Sequence, residues 1–216
     1  MPDFTIDDLN QIKRKPQRGS YERDVVYSII DEALYCHVGF VQDDQPIVIP
    51  TIHARLDDAL ILHGAKASRM LKHLAAGQPV CVTITLLDGL VFARSVFNHS
   101  MNYRSVVVFG HGRLIEDADE KWRAVEALTE HIARGRWADS RQPTPKEMDA
   151  TAVVSIAIER ASAKIRTGPP GDDEADYALP VWAGVLPTGL HLDEPIPDPR
   201  LAADIVLPDY LRQYSR

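Results

Sequence analysis

The seven residues His63-Gly64-Ala65-Lys66-Ala67-Ser68-Arg69 combine the groups that bind an anion. They join an apolar run at 59–62 to an amphipathic segment that begins Met70-Leu71. A strand-to-helix junction presents unpaired backbone N–H groups and the positive end of a helix dipole. Gly64 lets a ligand approach the backbone. Ser68 can donate a hydroxyl, and Lys66 and Arg69 can neutralise a dianion, the arginine in bidentate fashion. Phosphate uses all of these at once. The plainer reading makes Ser68 a helix cap and both cations solvated. Two cations in a first turn oppose the dipole, however, and an anion offsets that cost. The junction is not a nucleotide loop of the common kinds, since GxxxxGK[ST] and GxGxxG are both absent.

Other groups are more ambiguous. In Val48-Ile49-Pro50-Thr51-Ile52-His53 a proline interrupts a β-rich run. It leaves neighbouring backbone groups free to bond a planar heterocycle, with Thr51 or His53 adding a side-chain contact. Alone, the segment reads as an edge strand that its proline guards against aggregation. The polar stretch 98–105, which ends in Ser105 ahead of VVVFGHG, is either a pocket wall or a solvated loop. Trp182, in LPVWAGVLP, either plugs the core or covers a flat ligand. Eight histidines occur, but neither HExxH nor His pairs with a carboxylate at ligand spacing. No metal is therefore expected; His53, His63 and His111 are the three that could converge from separate strands. No GxSxG elbow is present, and Cys36 and Cys81 each lie in an apolar run, as buried free thiols.

These residues need a scaffold, and hydrophobic periodicity supplies its outline. A helix is expected over 21–35, with Val25, Ile29, Ile30 and Leu34 at helical spacing. Strands follow at 36–42, 47–56 and 59–64, then a helix over 68–77 closed by Gly77. Residues 79–97 read as two strands around an Asp88-Gly89 hairpin turn. Another strand covers 103–116. A helix over 117–134 places Trp122, Val125, Leu128 and Ile132 on one face, and residues 151–166 return to β. The expected fold is mainly β, of α+β type: about six antiparallel strands closed into a barrel, with flanking helices. Residues 1–20 read as a flexible arm, and 21–216 as a single domain with an extended Pro- and Asp-rich tail.

Composition narrows the function. The 216 residues are 45% hydrophobic and 25% charged, as in an ordinary soluble domain. Acidic residues outnumber basic ones, 31 to 24, for a net charge of −7, which argues against a nucleic-acid partner. No apolar run approaches a membrane span, and the polar first twenty residues lack a signal-peptide core, so a cytoplasmic protein is expected.

Together, VIPTIHAR, LHGAKASRML, NYRSVVVFGHG followed by EDADEKWRAVEAL, and LPVWAGV resemble the FMN-binding split-barrel proteins related to pyridoxamine 5′-phosphate oxidase. The likeness spans about residues 18–182 and is nearest to the flavin-nucleotide-binding, nitroimidazole-reductase-like subgroup. It implies a split barrel that forms a homodimer, with FMN at the subunit interface. On this chain, Val48, Ile49, Pro50, Thr51, Ile52 and His53 would run along the isoalloxazine. His63 and Gly64 would lie near the flavin and ribityl chain, and Lys66, Ala67, Ser68 and Arg69 would hold the phosphate. Ser105 and Trp182 would complete the site, the tryptophan from the partner subunit. His53 or His63 is the candidate tuning or proton-handling group. The implied activity is FMN-dependent oxidation or reduction of a small molecule, with NADPH, NADH or a deazaflavin as electron donor. A non-catalytic flavin store or sensor, and a haem or metal protein on the same barrel using His53, His63 or His111, are the alternatives. The oxidases carry a basic residue at each end of the strand that corresponds to 48–53; here those ends are Val48 and His53. Their C-terminal substrate-gripping signature is also unmatched by LPDYLRQYSR, so pyridoxamine phosphate is not the expected substrate.

Overall fold

Alternation of apolar and polar residues builds the sheet. Cys36, Val38 and Phe40 point inward from one strand, Val80, Val82 and Ile84 from a second, and Val106 and Val108 from a third, all buried. The computed structural model describes residues 3–215. Along the chain these form β1 (Gly19–Ser20), α1 (Arg23–Glu32), β2 (Tyr35–Gln42), β3 (Gln45–Ile52), β4 (Ala54–Leu56), β5 (Ala59–Ala65) and α2 (Arg69–Ala75). There follow β6 (Pro79–Phe92), β7 (Ser100–Leu114), α3 (Ala118–Ile132), α4 (Arg136–Asp139), α5 (Pro145–Ala150), β8 (Thr151–Ala157), β9 (Arg160–Arg166), β10 (Gly184–Pro187) and α6 (Asp209–Arg212).

The strand order is β3-β2-β6-β7-β8-β5-β4, every pairing antiparallel, with β9 on β7, β1 on β9 and β10 on β6. The long strand β7 is the hinge of the split barrel. Its residues 103–109 pair with β9, and Gly112, Arg113 and Leu114 then pair with β8. At the crossover α2 presses on the strand so closely that a Cβ on Gly112 would lie 2.4 Å from the Leu74 carbonyl oxygen. Only glycine fits there. The helices α1 and α2 send Ile29, Ile30, Leu71 and Leu74 into the barrel core with Leu60, Leu62 and Ile156. A second, smaller core joins Ile61 and Val153 of the sheet to Ala124 and Leu128 of α3. The mainly antiparallel α+β split barrel expected from the sequence is the fold observed.

Three local expectations change. The Asp88-Gly89 hairpin does not form: β6 runs straight through and takes a register shift between Leu87 and Gly89 against β7. The bulge turns the Asp88 carboxylate onto Arg104, whose Nη2 donates at 2.8 Å, while Arg104 also reaches Glu32 of α1. Beside it β10 lies so near that a Cβ on Gly89 would stand 2.9 Å from Val185 Cγ1. On α3 the buried residues are Ala124 and Leu128; Trp122 and Ile132 are more than a third exposed, and Trp122 meets Trp137 edge-on at 5.4 Å. Lastly, the described part of the expected N-terminal arm is anchored. Phe4 is 3% exposed within the main core and its N–H donates to Tyr21 O at 2.9 Å. Buried Asn10 donates to the carbonyls of Thr5 and Ala161, and β1 pairs with β9. Met1 and Pro2, also in that expected arm, lie outside the described residues.

Candidate functional site

The strand β5 delivers His63 and Gly64 to the end of the barrel, and a turn closed by Ser68 N–H to Ala65 O, 2.9 Å, starts α2. Ser68 is the helix cap: its Oγ accepts from Leu71 N at 3.5 Å, which leaves the hydroxyl proton to donate elsewhere. Arg69 is exposed, and among the described residues no side-chain partner engages it. Lys66 Nζ lies 2.9 Å from Asp149 Oδ1, both largely exposed. Next to them a hollow of about 370 Å³ is lined by Lys66, Lys72, Lys121 and Asp149. Burial, and then the charge of Lys66, push the Lys121 ammonium below its ordinary pKa. The junction is thus a patch of excess positive charge tempered by two exposed carboxylates, Asp149 and Glu116.

His63 lies opposite Val153 and is half-buried. Burial lowers its pKa, and its Nδ1 is enclosed without a protein partner. The imidazole is therefore neutral near pH 7. His53 behaves differently. It is fully buried, its Nε2 sits 3.0 Å from Ile30 O, and its ring lies 4.9 Å from that of His131. It belongs to the packing between α1 and α3.

The strand β3 pairs only with β2, so its other edge is open among the described residues, and it contacts β5. Val48 (65% exposed), Pro50 and Ile52 face outward, while Ile49 and Thr51 are half-buried. β3 therefore touches the strand that leads into 63–69, although no one cavity is lined by both 48–52 and 63–69 among the described residues. The structure does not bring the other expected residues there within one chain. Ser105 sits on β7, three strands from β3 in the sheet order, or roughly 14 Å at the usual strand spacing. Its Oγ donates to Lys164 O at 3.3 Å. Trp182 is 70% exposed ahead of β10, its ring 6.2 Å from Phe92. His53, His63 and His111 do not converge: among the described residues no group of three or more His, Cys, Asp or Glu is placed to hold a metal ion.

A second cavity went unread in the sequence. A groove of about 1020 Å³, lined mainly by apolar side chains of β2, β3, β6 and β7, runs over the barrel rim. Its polar groups include His73, His111, Cys81 and Arg160. The signal was the outward apolar pair Val41 and Val48, both more than half exposed. His73, inside an amphipathic helix, carries no such signal. Lys72 and Lys121 had likewise gone unnoticed, because only the fold sets them beside Lys66.

A family model described as pyridoxamine 5′-phosphate oxidase matches residues 22–165. Among solved structures, the flavocytochrome Anf3 from Azotobacter vinelandii is 39% identical, with 97% of each chain covered and a TM-score of 0.91. The FAD and haem binding protein from Mycobacterium smegmatis is 36% identical over 90% of this chain and 96% of its own, with a TM-score of 0.87. A protein proposed to confer 5-nitroimidazole antibiotic resistance in Bacteroides thetaiotaomicron shares the fold at 23% identity over 68% of this chain and 86% of its own, TM-score 0.56. No curated protein sequence matches the chain. No helix among the described residues is long and apolar enough to cross a membrane. With its split barrel and a match to the family model across most of its length, the chain belongs to the pyridoxamine 5′-phosphate oxidase family.

Proposed function

We propose that the chain is a flavin-dependent oxidoreductase, with the flavin phosphate at the 63–69 junction and the ring along the open edge of β3. The observation that carries this reading is the unpaired edge of β3, a strand that touches β5, which leads into a junction whose cations are only weakly held. A bound flavin supplies hydride and single-electron chemistry; the protein supplies binding, orientation and electrostatics. The open main chain of 48–52 orients the ring. Arg69 and Lys66 neutralise phosphate, and the Ser68 hydroxyl donates to it. His63, neutral because it is buried, offers a hydrogen bond without charge and is the tuning candidate. His53 is occupied by the Ile30 carbonyl and serves packing.

Of FMN, implied by the sequence resemblance, and FAD, we favour FAD. The full-length relative from M. smegmatis is described as binding it. Lys72 and Lys121 also extend the positive charge beyond Lys66, where a second phosphate needs it. Haem is the second cofactor of this reading, because both full-length relatives are described as a flavocytochrome or as binding haem. The protein works as a homodimer. Exposed Val48, Ile52 and Trp182 form apolar surface for a second copy, and Ser105 and Trp182 then approach the flavin from the partner.

The test is the absorption spectrum and mass of whatever co-purifies, followed by anaerobic mixing with NADPH, NADH or a reduced deazaflavin. Flavin bands, extracted FAD and rapid bleaching support the reading. Extracted FMN would overturn the preference for FAD, and inertness toward all three donors would make the protein a store or sensor. Sedimentation reads the dimer. Lys66→Ala with Arg69→Ala is expected to weaken FMN and FAD far more than riboflavin; equal losses would remove the phosphate from this junction.

A further inference from the structure

We propose that the hollow between α3 and α5 is an adenosine subsite that takes the second half of FAD, with the purine on Trp122. The inference rests on the preference for FAD above and deepens it by naming where the adenosine binds. Helix α5 opens on Thr144-Pro145-Lys146-Glu147, a reciprocal cap. Thr144 Oγ1 accepts from Glu147 N at 3.3 Å, and the Glu147 carboxylate accepts from Thr144 N at 2.7 Å. Pro143, Pro145 and Met148 are thereby fixed as one wall of a hollow of about 360 Å³, and Trp122 of α3 contributes another. The Trp122 ring meets Trp137 edge-on at 5.4 Å, which steadies it, yet 37% of the residue stays exposed. A steadied, accessible indole among prolines and a thioether is a surface on which a base stacks.

This hollow adjoins the cationic one beside Lys66, because Glu116, Lys121 and Asp149 line both. Outward from the 63–69 junction the lining therefore changes in a fixed order. Lys66 and Lys72 come first, the shared Lys121, Glu116 and Asp149 next, and the apolar wall with Trp122 last. The adenosine diphosphate half of FAD presents its chemistry in the same order: phosphate, ribose hydroxyls, purine. Lys121 donates to Met148 O, and its ammonium keeps two more N–H groups for phosphate. Asp149 is engaged by Lys66, whereas no side chain among the described residues engages the exposed Glu116. A carboxylate without a cation of its own accepts from ribose hydroxyls, the role acidic side chains take at dinucleotide sites. Glu116 would repel a bare phosphate, and its place between cations and indole fits a sugar instead. FMN ends at the first phosphate, so only FAD extends into this hollow.

Affinities of the full chain for FAD and FMN are to be measured by flavin fluorescence titration at fixed ionic strength, with far-UV circular dichroism as a folding control. The parent is expected to bind FAD more tightly than FMN. Trp122→Ala is expected to lower the FAD-to-FMN affinity ratio about tenfold, the scale of one base stacked on an aromatic ring, with FMN unchanged. Trp122→Phe is expected to restore most of that loss. Glu116→Ala is expected to lower the ratio about fivefold, as for one lost hydrogen bond. Should Trp122→Ala not fold, Glu116→Ala decides. A FAD preference that survives both alanine variants overturns the subsite and leaves the FAD reading intact. Equal losses of FAD and FMN in Trp122→Ala also overturn it, since the ring would then serve the fold or the shared half. A parent that binds FMN as tightly as FAD overturns the FAD preference, and the subsite with it. Weakened NADPH or NADH binding to the flavin-loaded Trp122→Ala chain, at an unchanged flavin ratio, would give the hollow to the adenosine of the electron donor and overturn its assignment to FAD.

Discussion

Lys66 Nζ and Asp149 Oδ1 are 2.9 Å apart, so the cation assigned to phosphate already has an anionic neighbour. Both side chains are more than half exposed, and solvent screens pairs of this kind so that they contribute little. A phosphate dianion can therefore take Lys66 over at little cost, but Asp149 still repels it. Asp149→Asn removes the repulsion and the competitor together. Affinity for FMN and FAD is expected to rise by a few-fold at most, about three- to fivefold, with riboflavin unaffected. Fluorescence titration at fixed ionic strength measures it. Equal change for riboflavin would mean that Asp149 acts on the ring or on stability.

His63 makes a pH prediction whose sign follows from its burial. Its pKa in the folded chain lies below the ordinary value of 6.5. Above that value both folded and unfolded states carry a neutral ring and stability is unaffected. As pH falls through 6.5 the unfolded chain takes up a proton that the folded chain refuses, so stability falls until the lower folded pKa is passed. His63→Leu removes this term. Urea midpoints between pH 7 and pH 5 are expected to decline less in the variant than in the parent. Parallel declines would show that the ring is solvated.

The two thiols differ from ordinary cysteines in the same direction. Burial pushes Cys36 up to about 12 and also raises Cys81, which is less deeply enclosed. Thiolate is the reactive form, so at pH 8 the native chain is expected to react slowly at Cys81 with a disulfide reagent and not measurably at Cys36. In denaturant both should titrate at once. Rapid labelling of two thiols in the native state would contradict the packing of β2.

The sequence made the barrel legible because strand alternation at Cys36, Val38 and Phe40, or at Val80, Val82 and Ile84, depends only on a period of two. It misled at Asp88-Gly89, where turn chemistry and bulge chemistry use the same residues. Across the register shift Arg104, sixteen positions along the chain, donates to the Asp88 carboxylate, a partner that the local sequence does not reveal. The strand-to-helix junction at 63–69 was legible for a similar reason: its groups are consecutive, and only their neighbours, such as Asp149 and Lys121, come from afar. His53 was misjudged because side-chain direction just past a strand end follows from tertiary packing against Ile30 and His131. The groove was harder to read for the opposite reason. Each wall contributes one or two apolar residues that look like core until the sheet curves them outward.

Gly112 is where the curvature of β7 can be tested. The residue lies between the stretch paired with β9 and the end paired with β8, and the Leu74 carbonyl oxygen stands 2.4 Å from where a Cβ would be. The clash is with backbone, so no rotamer change relieves it. Gly112→Ala must push α2 outward, separating Leu71 and Leu74 from the core they fill. Overpacking of this kind costs about 1–3 kcal/mol, and a backbone obstacle puts this case at the upper end. Chemical denaturation is expected to show that loss. Because α2 begins at the junction proposed to hold the phosphate, the variant should weaken flavin-nucleotide binding as well. Gly39→Ala is the control. Its added methyl would meet the Cys81 carbonyl oxygen at 3.4 Å, within ordinary contact, and α2 would not move. Equal stability loss in the two variants would mean that the position of α2 does not depend on the missing side chain at Gly112.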